Sequence, residues 1–479
     1  MKKNKKIIFF VILSIILIYC LGNVAIKNRE NNYLFQLKSY IPNSIKHYLK
    51  NSIFLLSSLE DKISQLEQEN EILKKKIKYF QDTLQNQNRV ELIFNENKKI
   101  NSKNNNYSLE IYQLLGLGNG KSDSAIASVY LENFKDKILL INGDGQIYYL
   151  TENNIDQNVI KMNKIQNNID ELVKYENFFR NSRYGIKDIF IDDNKIYLSY
   201  TNQLKQDCYN TSILVANINF QYLKFENFFA PNECVNKKNE FESFNAHIAG
   251  GRITKYKNSK ILFSTGSFGH STLAQEENSI FGKILSLDTK KNGDYQTVSI
   301  GHRNVQGLKY EEELDRIYIS EHGPIGGDEF NINSNPEVNN LKNFGWPISS
   351  YGEHYGNPKK NNKKYVKAPL YKSHTKYGFV EPIKYFTPSI GISEILKVPN
   401  KFNNNFGNIF FISSMGNNIE EGDLSIHYLK LNELENKILK EDIIIIGYRI
   451  RDMMYHDNLN KIILSFEDLP GVGFLSLDK

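Results

Sequence analysis

Three short runs in the second half of the chain set cations, glycines and turn residues side by side. They read Gly301-His302-Arg303-Asn304-Val305-Gln306-Gly307-Leu308, then Ser320-Glu321-His322-Gly323-Pro324-Ile325-Gly326-Gly327-Asp328-Glu329, then Asn343-Phe344-Gly345-Trp346-Pro347 leading to Ser350-Tyr351-Gly352. Glycine lets backbone approach a ligand closely. A turn such as Gly323-Pro324 presents carbonyl oxygens, and the Arg303 guanidinium is a rigid fork for an anion. Such runs read as loops that line a site. His247 stands in Asn245-Ala246-His247-Ile248-Ala249-Gly250-Gly251-Arg252 and carries a group that titrates near neutrality, although a lone histidine is more often structural than catalytic. Arg449 and Arg451 in Tyr448-Arg449-Ile450-Arg451-Asp452 alternate, so on a strand both would leave the same face.

In this order the runs resemble the glucose/sorbosone dehydrogenase family, soluble sugar dehydrogenases that use pyrroloquinoline quinone and calcium on a six-bladed β-propeller. The resemblance covers roughly residues 185–474, with the first blade weakly matched. It implies that His247 is the general base taking the sugar hydroxyl proton while hydride passes to the quinone. It makes Arg303 catalytic and lays Arg303 and Asn304 against the cofactor. Ser389, in Thr387-Pro388-Ser389-Ile390, would line that cofactor, and Arg449 and Arg451 would bind its carboxylates. Calcium prefers oxygen ligands, and the family takes them from the carbonyls matching Gly323 and Pro324. Asp328 and Glu329 read either as support for that metal or as acids capping the loop, and Trp346 and Pro347 as packing.

The chain also departs from the family pattern. Where the family has Gly-Asp after the third hairpin, with a carboxylate that orients the histidine, the sequence is Gly266-Ser267-Phe268-Gly269. No lysine stands in Ser413-Ser414-Met415-Gly416, where some members place one on the cofactor, and the expected glutamine is missing near Ser182-Arg183. Cofactor binding is expected to survive with catalysis reduced, unless another carboxylate such as Glu242 fills in.

The elements that must position these residues are strands. From about residue 107 an apolar strand, a tight polar turn and a second strand recur, at Ile138–Leu150, Ile186–Tyr200, Arg252–Thr265, Val305–Ser320, Ile392–Ser413 and Arg449–Phe466. Repeating hairpins bounded by Asn, Asp and Gly suggest propeller blades, six of them, with a β-sandwich as the alternative. The widest gap falls between the fourth and fifth hairpins and reads as an inter-blade insertion over Gly323–Tyr385.

Ahead of residue 107 the chain changes character. Ile7 to Ile26 carry no charge, enough to span a bilayer core of about 30 Å. An anchor or a signal peptide both fit; the length of the run and the lack of a small-x-small site favour an uncleaved anchor. The lysines before it keep the N-terminus cytoplasmic, so the predicted location is the inner membrane with the propeller facing the periplasm. After a juxtamembrane segment at 27–50, heptads place Leu56, Ile63, Asn70, Ile77 and Leu84 at a and Leu59, Leu66, Leu73 and Phe80 at d. With Asn70 in the seam and Lys62–Glu67 and Glu69–Lys74 pairs across it, residues 51–90 predict a parallel homodimeric stalk; a single amphipathic helix lying on the propeller is the alternative. Residues 91–106 read as a linker and 107–479 as the propeller.

The 479 residues are 40% hydrophobic and 24% charged, ordinary for a folded protein. The net charge of +6 drops by four to +2 without Lys2, Lys3, Lys5 and Lys6, which leaves no basic field for nucleic acid. Cys208 and Cys234 are the cysteines beyond the apolar run; on the exported side they are expected to pair, with two buried thiols as the alternative. The reading is a membrane-anchored quinoprotein oxidising an aldose or related sugar hydroxyl and passing electrons to a quinone or soluble acceptor. Its rival is a non-catalytic propeller on a dimeric stalk that binds carbohydrate or protein.

Overall fold

The computed structural model describes residues 90–478 apart from 117–128, 156, 174–184, 242, 337–339, 357–362, 404–406 and 468, together with positions 63, 66, 69–71, 73, 74 and 76. Two compact units comprise residues 1–87 and 88–479. In the first, the described positions are helical, and the seam residues Ile63, Leu66 and Leu73 are 52, 55 and 51% exposed. The lysines, the Ile7–Ile26 run, the juxtamembrane segment and the rest of the heptads lie outside the described residues. Among those described, no helix is long and apolar enough to cross a membrane.

Each of the six expected hairpins is present in the second unit. The turns joining first to second strands place Lys135, Asp193, Asn258, Asp315 and Asn460 at positive φ, from +47° to +56°, the backbone shape that tight hairpins need and that Asn and Asp tolerate. Each hairpin belongs to a run of four antiparallel strands; a parallel strand, Lys342–Asn343, extends the third run, and Val90–Asn101 joins the first and sixth into one sheet. The innermost strands are Val129–Phe134, Ile186–Asp192, Gly250–Tyr256, Val305–Glu311, Ile392–Lys397 and Ile450–His456. Each packs on the next, and the sixth returns to the first, so the arrangement is a closed, propeller-like ring. Apolar faces of neighbouring units meet between them: Tyr197, Ile213 and Phe229 of the second bury against Ile253, Ile261 and Phe263 of the third.

Two expectations need correction. Residues 91–106 are not a linker, because Val90–Asn101 is a strand that pairs with both Asn106–Leu115 and Val159–Asn167. Its buried Val90, Leu92 and Ile100 are diluted by Asn, Lys and Glu, which masked the strand; the folded unit therefore starts near residue 90. Nor does Gly323–Tyr385 lie between blades. It supplies the third and fourth strands of the fourth unit, Asp328–Ser334 and Lys384–Phe386, and only the stretch between those strands is inserted. Strand Asp328–Ser334 is acidic and Asn-rich yet almost wholly buried, so composition argued for a loop where pairing made a strand.

The N-terminal strand Asn106–Leu115 completes the sixth unit beside Gly471–Leu477. Cys208 and Cys234 are disulfide-bonded with Cα atoms 5.4 Å apart and a sequence separation of 26. A loop of that length corresponds to roughly 3–4 kcal/mol of unfolded-state restriction.

Candidate active site

The innermost strands begin at one end of the ring, and the second strands, running antiparallel, finish there. In the second to sixth units the pairing slips by one residue at the start of the innermost strand, at Ile186/Asp188, Gly250/Ile253, Val305/Gly307, Ile392/Ile395 and Ile450/Asp452. Such bulges bend a strand and re-aim side chains, and they recur beside active sites. At this end lies a cavity of about 330 Å³, within the ~300–1,000 Å³ common for small-molecule sites.

Five of the expected residues line it together: His247, Arg303, Asn304, Arg449 and Arg451. Their loops are fastened from below. The His247 N–H donates to Asn245 Oδ1 at 2.9 Å, and Phe268 bonds Asn245 and Ile248 on either side of it, both at 2.8 Å. Asn304 Oδ1 accepts the Gly250 N–H at 3.1 Å. Arg303 donates from Nη1 to the His322 carbonyl at 2.8 Å and lies 5.4 Å over the Trp346 ring. Its N–H bonds Glu321, whose other oxygen meets His302 Nδ1 at 2.9 Å, while His302 Nε2 meets Ser299 Oγ at 2.8 Å. This Ser-His-Glu chain is buried and serves to fix Arg303.

Sequence reasoning missed Lys187, Gln306, His322, Tyr355, Tyr130 and Glu467, all of which line the cavity. Lys187 comes from the start of the second unit. Gly251, at φ +115°, makes room for it: a Cβ there would sit 2.4 Å from Lys187 Cβ. Glu467 follows a second strand. Burial works against its charge, but Arg451 and Arg449 hold the carboxyl below the usual range. For all but Tyr355, which belongs to the inserted stretch, the signal that would have found them is position: first residues of a hairpin's first strand, or those just after its second.

Directly beneath, one residue ties the ring. Arg252 Nη1 meets Asp188 Oδ1 at 3.1 Å, Glu394 Oε2 at 3.0 Å and Asp452 Oδ1 at 2.9 Å. Its Nε donates to the Gln306 carbonyl at 2.6 Å, its Nη2 to the Arg451 carbonyl at 3.1 Å, and it lies 5.3 Å over the Tyr130 ring. All six innermost strands are thereby joined. Burial pushes Asp188 up to about 7 and Glu394 up to about 8, with Arg252 opposing.

Ser389 is not among the residues lining the cavity. Its hydroxyl donates to the Pro324 carbonyl at 3.0 Å and accepts the Gly327 N–H at 3.1 Å. The Pro324 carbonyl also shares the Gly327 N–H at 3.2 Å, so in this arrangement it is bonded within its own turn. Among the described residues, no group of three or more His, Cys, Asp or Glu is placed to hold a metal. Asp328 braces this turn: it accepts from Gly323 N–H and Ile392 N–H, both at 2.9 Å, beside His322. These bonds and His322 outweigh burial and hold its carboxyl below the usual range. Ser267 is fully buried and its Oγ has no hydrogen-bond partner; Glu242 and Ser182-Arg183 lie outside the described residues.

Fold and site together define an all-β, propeller-like protein with a strongly cationic cavity at the end where its innermost strands begin. The sequence pattern of the glucose/sorbosone dehydrogenase family matches residues 135–468, and the chain belongs to that family. It is 28% identical over 156 residues, 30% of its own length, to the aldose sugar dehydrogenase YliI of Escherichia coli. The aligned stretches span half or less of the curated relatives it matches. A crystal structure of a glucose dehydrogenase superposes with a TM-score of 0.57 at 20% identity, over 74% of this chain and 97% of that one. The structure of a pyrroloquinoline quinone-bound aldose sugar dehydrogenase from Streptomyces coelicolor gives 0.52 at 16% identity, over 78% and 98%. At these identities the superpositions establish the fold.

Proposed function

We propose that this chain is a quinoprotein that oxidises an aldose or related sugar hydroxyl with pyrroloquinoline quinone, on a six-bladed β-propeller. The observation carrying this reading is the cavity's charge: among the described residues, Lys187, Arg303, Arg449 and Arg451 line it against a single carboxylate, Glu467. Such a site calls for a polyanion, and the quinone is planar with three carboxylates. Arg451 Nε, buried without a hydrogen-bond partner, is a further donor that suits it. The family membership and the quinone-bound relative support the same choice.

When bound, the quinone supplies the hydride acceptor. His247 takes the proton from the sugar hydroxyl, from a loop held by Asn245 and Phe268. Arg303, pinned by Glu321 and stacked by Trp346, places a positive charge where negative charge gathers in the cavity, and Asn304 fastens it to the Gly250 turn. Arg449 and Arg451 hold carboxylates. Ser389 acts at one remove by fixing the Gly323-Pro324 turn. A calcium ion held by the Pro324 carbonyl would share it with the Ser389 hydroxyl.

The same reading gives the protein an N-terminal membrane anchor, a parallel dimeric stalk, and a place at the inner membrane with the propeller in the periplasm, delivering electrons to a quinone or soluble acceptor. Reconstitution with the quinone followed by sugar-dependent dye reduction tests it. His247→Ala should cut turnover by at least about a hundredfold and spare quinone affinity, whereas Arg451→Ala should weaken that affinity. Undiminished turnover without His247 sinks the assignment. A second reading, a non-catalytic carbohydrate- or protein-binding propeller, is favoured by Ser267 standing where the family has an acid; it predicts no dye reduction with any sugar.

A further inference from the structure

Glu467 is fixed by backbone beside the arginine pair, its N–H donating to the Arg449 carbonyl at 2.9 Å. Its two oxygens face different guanidiniums: Oε2 bonds Arg451 Nη2, and Oε1 stands 3.6 Å from Arg449 Nη2. The three side chains are only 13–23% exposed. The outer nitrogens are held elsewhere, Arg449 Nη1 by Asn417 Oδ1 at 2.9 Å and Arg451 Nη1 by Gln306 Oε1 at 3.3 Å. Glu467 therefore bridges the pair as a ligand carboxylate would.

We propose that Glu467 is a built-in competing anion that occupies the Arg449–Arg451 carboxylate subsite and so selects for ligands carrying several carboxylates. The inference rests on reading the cavity as a cofactor site. A tethered carboxylate acts at high effective concentration, so exchanging it for a ligand carboxylate on the same two arginines returns only part of what the bare pair would give. A monocarboxylate thus gains little. A polycarboxylate keeps its other groups for Lys187 and Arg303, which line the same cavity, and binds through those. Glu467 makes the arginine pair a discriminator rather than a general anion trap.

The full chain and its E467Q, E467A and R451A variants would be titrated calorimetrically with pyrroloquinoline quinone, benzene-1,3,5-tricarboxylate and benzoate. Both Glu467 variants should bind benzoate at least about tenfold more tightly than the parent, with a comparable gain for the tricarboxylate, so that a lone carboxylate now binds where the parent admits only ligands carrying several. If instead either ligand binds them no better or more weakly, Glu467 only holds the arginines in place and the proposal is overturned; absence of tricarboxylate binding in every form overturns it as well. Unchanged quinone affinity in R451A would sink the cofactor reading instead, while the benzoate and tricarboxylate titrations still decide the role of Glu467. Thermal melts of each variant confirm that the folded protein is being compared.

Discussion

Ser267 is buried against the loop that carries His247, and its N–H donates to the Arg303 carbonyl at 3.0 Å, so it sits between the two residues assigned to the chemistry. A serine hydroxyl can accept a hydrogen bond but cannot offset an imidazolium charge, and loss of an orienting acid elsewhere slows catalysis by orders of magnitude. Ser267→Asp should therefore speed sugar oxidation by about tenfold or more and move the acid limb of the rate profile, at some loss of stability because a carboxylate enters a dry site. A variant that folds and binds quinone yet is no faster would show that His247 is oriented by another group or is not the base. At this scale residue type led to the cavity where a motif surrounded it, as for His247, Arg303 and Arg451, which line it. It failed for Lys187 and Glu467, which have no motif and reach the cavity only through their place in a hairpin.

The innermost strands carry the site by a repeated device, a bulge near the start followed by a polar side chain aimed at the axis. Their hairpins were legible because apolar runs and Asn- or Asp-bearing turns are local. The bulges were not, since register depends on the partner strand. Nor could spacing reveal that Asp188, Glu394 and Asp452, drawn from three units, converge on Arg252 of a fourth. Replacing Arg252 by Ala leaves three buried carboxylates facing one another and should cost about 3–5 kcal/mol, read from urea unfolding. The pH dependence follows from the raised carboxyls. Because Asp188 and Glu394 titrate higher in the folded ring, at about 7 and about 8, than near ~4 in the unfolded chain, their contribution is full below that unfolded value, shrinks as pH rises above it, and is gone once pH has passed the folded values. Asp328 and Glu467, held low, act only in the acid range. The unfolding midpoint should fall from about pH 5 to about pH 8 and level off above, and Glu394→Gln should flatten that fall; a midpoint that rises over this range contradicts the account.

For the whole molecule, the exposed Ile63, Leu66 and Leu73 occupy, with Asn70, the heptad positions at which a parallel dimer is expected to pair. Sedimentation of the detergent-solubilised chain should give a dimer, and Asn70→Ile should stabilise association while loosening its stoichiometry. A monomer at tens of micromolar would remove the stalk. The ring itself has a seam of another kind, in which Tyr107 pairs with Leu477, partners that leave the ribosome about 370 residues apart. Five units can assemble on a nascent chain, but the sixth waits with Asn106–Leu115 half paired and its outer edge open to any other strand. A premature stop before Gly471 would thus do more than shorten the protein. It would leave a nearly complete ring unable to shut, and a chain disposed to pair with its neighbours instead of with itself.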